Sequence, residues 1–170
     1  MNPYVDLYTS IAEISGIFVG FGALISVTRR SEVETNQLIR IRSVVTLGLV
    51  VVIAALLPVV LGSFGVTGHR LWFSSSLLFL ALIWAVIALS LRRPKNRALT
   101  AQQARSSPVM AAFFWILLEI PIQLPLLLVL LGLWPQQDMA LYTTSLVFNL
   151  FQAAYVLAQL VYAEMSPPSV

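Results

Sequence analysis

The chain has 170 residues, of which 59% are hydrophobic and only 10% charged, with a net charge of +3. A soluble domain carries about 25% charged residues, so this composition argues for lipid as the solvent rather than water. The absence of cysteine and the single histidine exclude disulfides, thiol catalysis and thiolate or multi-histidine metal sites.

One domain is the natural count at this length. A helix needs about 20 apolar residues to cross about 30 Å of hydrocarbon. Five segments qualify: Ser10–Thr28, Ser43–Gly62, Leu71–Leu91, Val109–Trp134 and Leu141–Ala163. The start, Met-Asn-Pro-Tyr-Val-Asp, lacks the basic stretch of a cleaved signal peptide, so the first segment is expected to stay in the mature protein. The expected fold is an all-α integral membrane protein, a single transmembrane domain built as a bundle of five helices.

The first segment carries Glu13, Gly16 and Gly20. Gly16 and Gly20 have the small-xxx-small spacing that lets two helix backbones approach. With Ser10 and Val27 they share one broad face with Glu13. If the segment begins at Ser10, Glu13 lies about a turn below the outer interface. Two uses fit this face. One is a packed contact within the chain, the commoner use of such spacing. The other is an acidic ring where identical first helices meet around an axis.

After it comes the connection Arg29–Arg42, with Arg29, Arg30, Arg40 and Arg42. Within it Ser31 and Glu34 fit a capping box, so the second helix is expected to begin near Glu32, before its apolar part. Pro58 is placed to bend that helix near its far end. Gly62, Gly65 and Gly68 make the following connection compact. His69 and Arg70 lie there, and a lone histidine beside a helix start is usually solvated.

The third segment ends on Arg92, Arg93, Lys95 and Arg97. A cluster of this kind beside a membrane attracts anionic lipid headgroups at about 1 kcal/mol per basic residue. Pro94 stops the helix, and Pro108 is suited to open the next.

The fourth segment holds Glu119-Ile120-Pro121-Ile122-Gln123-Leu124-Pro125. Glu119 is about 16 Å in from Pro108, near the midplane. An acid at that depth is by default a functional residue. Gln123, four residues on, shares its face. Pro121 and Pro125 lack the N–H groups that the helix ladder needs, so a kink is expected there.

The fifth segment carries Ser145, Asn149, Gln152 and Gln159 at helical spacing on one stripe. Folding it back on the fourth about Pro135–Asp138 would bring Glu119 near Gln152 and Gln123 near Asn149. Those two polar rungs are either interhelical glue or part of a conducting path.

Of ten Lys and Arg residues, nine fall in the connections Arg29–Arg42 and Arg92–Ser107, and the tenth is Arg70. Loops rich in Lys and Arg stay in the cytoplasm, so the N-terminus is expected outside and the C-terminus inside. Tyr4, Tyr8, Trp72, Trp134 and Tyr142 all fall at outer-end positions, as an interfacial belt would. Trp84 and Trp115 lie deeper and read as packing residues.

The catalytic motifs are missing. There is no Ser-His-Asp set, no HExxH, and no P-loop lysine after the glycines of the first helix. Glu13 and Glu119 fall at different depths and make a poor catalytic pair. The basic residues are explained by topology, so nucleic acid is not an expected partner, and no cofactor is implied. The expected function is a homo-oligomeric cation or proton channel in the bacterial inner membrane, its path lined or gated by Glu13 or by Glu119 with Gln123, Asn149 and Gln152. The alternative is a non-conducting assembly subunit that binds a partner membrane protein or anionic lipid.

Overall fold

The computed structural model describes residues 3–28, 35–92 and 119–165. Most of these residues are helical, and there is no strand among them. The helices are α1 (Pro3–Thr28), α2 (Thr35–Ser63), α3 (His69–Leu91), α4 (Ile120–Leu130) and α5 (Asp138–Met165), with a 3-10 turn at Pro135–Gln137 before α5. Four stretches are long and apolar enough to cross a membrane: Tyr4–Ile25, Ile41–Ser63, His69–Ser90 and Pro135–Gln159. The described part of the fourth expected span is the shorter apolar helix Ile120–Leu130; its expected beginning from Val109, Trp115 included, lies outside the described residues.

Outward-facing side chains are large and apolar on every helix. They include Ile17, Phe21 and Leu24 on α1, Leu49 and Ile53 on α2, Leu78 and Trp84 on α3, Leu124 and Leu127 on α4, and Val147 and Phe151 on α5. Soluble monomers rarely expose contiguous apolar patches of that extent; lipid tails cover them without penalty. Trp84, expected as a packing residue, is 54% exposed. In a lipid solvent, depth along a helix does not decide which way a side chain faces.

The chain divides into two compact units, residues 1–59 with 149–170, and residues 60–148. In the first, α1 and α2 pack as an antiparallel pair through glycines that the sequence did not single out. A Cβ on Gly48 would lie 2.7 Å from Val19 Cγ2 and 3.4 Å from the Ser15 carbonyl oxygen, and a Cβ on Gly22 would lie 2.9 Å from Val45 Cγ2. Only residues without side chains allow that approach. The buried Ser15 hydroxyl donates to the Gly48 carbonyl at 2.8 Å and locks the register. Tyr8, Ile11, Ala12, Val44, Val51, Ala54 and Ala55 fill the surrounding core.

In the second unit, α3 packs on α4 and also on α5. The Tyr142 ring lies 5.8 Å from both Trp72 and Phe79, centroid to centroid. Tyr142 and, in the first unit, Tyr8 are fully buried, so these two expected belt residues belong to the core. A position near a helix end suits a belt or a core alike, and here both rings are covered by protein.

α2 and α4 end in the same way. After α4, the Gly132 N–H donates to the Val129 carbonyl at 3.0 Å and the Leu133 N–H to Leu128 at 3.4 Å, with Gly132 at φ 63°. After α2, the Gly65 N–H donates to Gly62 at 3.0 Å and the Val66 N–H to Leu61 at 3.2 Å, with Gly65 at φ 80°. Both are Schellman caps, which satisfy the last carbonyls of a helix and need a residue tolerant of positive φ. α2 runs continuously from Thr35, so the helix begins ahead of its apolar part, as expected, and includes Arg40 and Arg42; the capping box expected at Ser31 and Glu34 lies outside the described residues.

Candidate functional site

α1 begins at Pro3, well before Ser10. Glu13 is therefore nine residues into the span Tyr4–Ile25, about 14 Å at 1.5 Å per residue, which is mid-depth. It is exposed, as are Ser10, Gly16 and Gly20 on the same face. A Cβ built on Gly16 or Gly20 meets nothing within 4 Å. Among the described residues the close glycine contacts are made by Gly22 and Gly48. Spacing alone could not tell the two sets apart, because the partner helix decides which glycines it covers.

On α4, the Gln123 side-chain amide donates to Glu119 Oε2 at 2.9 Å, with both residues partly buried. This is the shared face expected from their spacing. The amide runs along its own helix rather than across to a rung. On α5, Ser145 and Asn149 are buried, Gln152 is half-buried and Gln159 is exposed. The Asn149 Oδ1 has no hydrogen-bond partner among the described residues. Of the basic cluster, Arg92 is exposed just past α3; Arg93, Lys95 and Arg97 lie outside the described residues.

The sequence missed one pair. His69 opens α3, Asp138 opens α5, and His69 Nδ1 lies 2.6 Å from Asp138 Oδ2. The imidazole N–H donates and the carboxylate oxygen accepts, which fixes the tautomer when the ring is neutral. The His69 side chain is 42% exposed and that of Asp138 only 1%. The Gly132 cap seats beside this ring, since a Cβ there would lie 3.8 Å from His69 Cε1 and Nε2. The two connections that enter α3 and α5 therefore meet at one end of the second unit. The charge count had already placed both on one side, and that shared side was the signal available for pairing His69 with Asp138.

Below the pair, Ser75 and Ser76 of α3 are fully buried. Their hydroxyls, like Asp138 Oδ1, have no partner among the described residues. Among those residues no group of three or more His, Asp or Glu is placed to hold a metal ion. No family model matches the chain, and comparison with curated proteins and with solved structures finds no significant match.

Proposed function

We propose that this membrane protein assembles with copies of itself through the Glu13–Gly16–Gly20 face of α1 and passes protons or small cations along the axis where those faces meet. In this reading it sits in a bacterial inner membrane, N-terminus outside, with Arg92, Arg93, Lys95 and Arg97 on anionic headgroups at the cytoplasmic side. The supporting observation is Glu13 itself: a carboxyl at mid-span, on an exposed face, with open space over the two glycines beside it. A carboxyl facing acyl chains costs several kcal/mol, so intramembrane acids turn to protein or water. Five helices in one chain enclose little space, and a closed symmetric ring of first helices gives the acid both. A ring of carboxylates favours cations over anions. Glu119, already held by Gln123, is the secondary candidate.

The test is flux through reconstituted liposomes carrying wild type, Glu13→Gln or Glu119→Gln. Proton or cation flux should fall roughly tenfold or more in Glu13→Gln, equivalent to about 1.4 kcal/mol of barrier, and fall less in Glu119→Gln. Variants and wild type that assemble normally yet pass no ion at any pH would overturn conduction and favour a non-conducting assembly subunit.

A further inference from the structure

We propose, resting on the assembly of copies through α1 given above, that Asp6 is the outer selectivity residue of the same path. Its carboxylates, one from each copy, gather cations at the outer mouth and pass them by Ser10 to Glu13. Helix geometry puts the three residues in one line. At about 100° per residue, Ser10, Glu13, Ile17, Gly20 and Leu24 all fall within about 40° of Asp6 around α1, and all six are exposed. Tyr8, Ile11, Ala12, Ser15 and Gly22 lie on the opposite side and are buried. That is the side which Ser15 and Gly22 turn to α2. The polar line therefore points directly away from the packed core. Asp6, Ser10 and Glu13 lie about 3, 9 and 14 Å below the start of the span Tyr4–Ile25 at 1.5 Å per residue. They descend from the outer interface to mid-depth.

An acid in the first turn of a helix suits the positive end of its dipole. That effect fades within a turn and does not account for Ser10 or Glu13 below. Thr9, beside the line, turns its hydroxyl onto the Val5 carbonyl at 2.8 Å. Asp6, Ser10 and Glu13 make no hydrogen bond or ion pair among the described residues. Another copy has no base with which to neutralise Glu13. The ten Lys and Arg residues fall within Arg29–Arg42 and Arg92–Arg105 and at Arg70, at span ends or between spans and none at mid-depth. Lipid offers the line no hydrogen bonds. Charge along it is met by water, a proton or a cation, and rings of carboxylates select cations. A mouth lined by one sign of charge also raises the local concentration of counter-ions, an effect that salt screens.

The chain has no cysteine, so one introduced thiol reports one position. Full-length Ser10→Cys, Ser10→Cys/Asp6→Asn and Ser10→Cys/Asp6→Glu are reconstituted in liposomes. Each is treated with a cationic and with an anionic methanethiosulfonate, both membrane-impermeant, and modification is followed by mass. The reagents attack thiolate, which forms in contact with water and not in an apolar site. The ratio of cationic to anionic rate should fall roughly three- to tenfold on Asp6→Asn and be kept by Asp6→Glu. The fall should shrink at about 1 M salt, where charges are screened beyond about 3 Å. A reactive Ser10→Cys whose ratio ignores Asp6→Asn would overturn the role of Asp6 and leave assembly through α1 standing. A Ser10→Cys thiol inert to both reagents, as Leu126→Cys in the buried face of α4 should be, would put the line against hydrocarbon and overturn both.

Discussion

His69 and Asp138, 69 positions apart in the chain, are joined by a hydrogen bond of 2.6 Å that ties the first residue of α3 to the first residue of α5. The carboxylate is nearly fully buried and the imidazole half-exposed. The carboxylate therefore depends on the pair more than the imidazole does.

Replacing His69 by Phe should remove the one donor seen on Asp138 and leave a buried carboxylate unpaired, at a cost of about 1–3 kcal/mol. Asp138→Asn keeps an oxygen that accepts from Nδ1–H, so its cost should be smaller. Denaturant unfolding in detergent of both single variants and of the double variant His69→Phe/Asp138→Asn gives the coupling directly. Additive losses would show that the two side chains are neighbours without being partners.

The glycines of α1 and α2 should separate into two classes. Gly48→Ala forces a methyl against Val19, a side chain stiff at χ1, and against the backbone of Ser15; overpacking of this kind costs about 1–3 kcal/mol. Gly22→Ala meets the Val45 methyl alone at under 3 Å and should cost less. Gly16→Ala and Gly20→Ala fill open space and should leave the stability of the single chain unchanged, or raise it by up to about 1 kcal/mol each through helix propensity. Thermal midpoints in a detergent that keeps the chain monomeric would rank the four. Equal losses at Gly16 and Gly48 would contradict the assignment of faces.

Topology is open to labelling of single introduced thiols in intact cells, since the chain has no cysteine of its own. Phe64→Cys and Gln136→Cys, both exposed in connections joined by the His69–Asp138 pair, should be labelled from outside. Arg97→Cys, in the basic stretch, should be labelled only after the membrane is opened. Labelling of Phe64→Cys and Gln136→Cys from opposite sides would break the pairing of α3 with α5.

Gln123→Leu should have a modest effect, about 0.6 kcal/mol, the average for a hydrogen bond between polar side chains in a membrane protein. A much larger loss would mean that the Glu119–Gln123 bond holds more than its own helix. Unfolding of Gln123→Leu beside Glu119→Gln distinguishes the two.

Much of the fold could be read from the sequence because lipid enforces it. Long apolar runs must be helical, so α3 was expected over Leu71–Leu91 and is found over His69–Leu91. Periodicity put Gln123 on the face of Glu119, and the two are hydrogen-bonded; of the stripe Ser145, Asn149, Gln152 and Gln159, the first two are buried, Gln152 is half-buried and Gln159 is exposed. What the sequence could not give was partner choice. A glycine pair four apart looks the same whether a helix covers it or not, which is why Gly16 and Gly20 drew attention and Gly22 and Gly48 did not. A tyrosine near the membrane surface looks the same in a belt or in a core, as Tyr8 and Tyr142 show. A histidine before a helix looks solvated until the fold brings an acid beside it.

Conduction along a shared axis requires that the open Glu13–Gly16–Gly20 face be covered by another copy of the chain. The most direct measurement is energy transfer between copies labelled at Phe64→Cys with donor or acceptor and diluted in liposomes, for the otherwise wild-type chain and for Gly16→Ile/Gly20→Ile. Transfer should persist on dilution of the former and drop to the level of random encounter in the latter, while both unfold at similar temperatures. Random-encounter transfer without the glycine substitutions, or transfer untouched by the two isoleucines, would contradict assembly through this face.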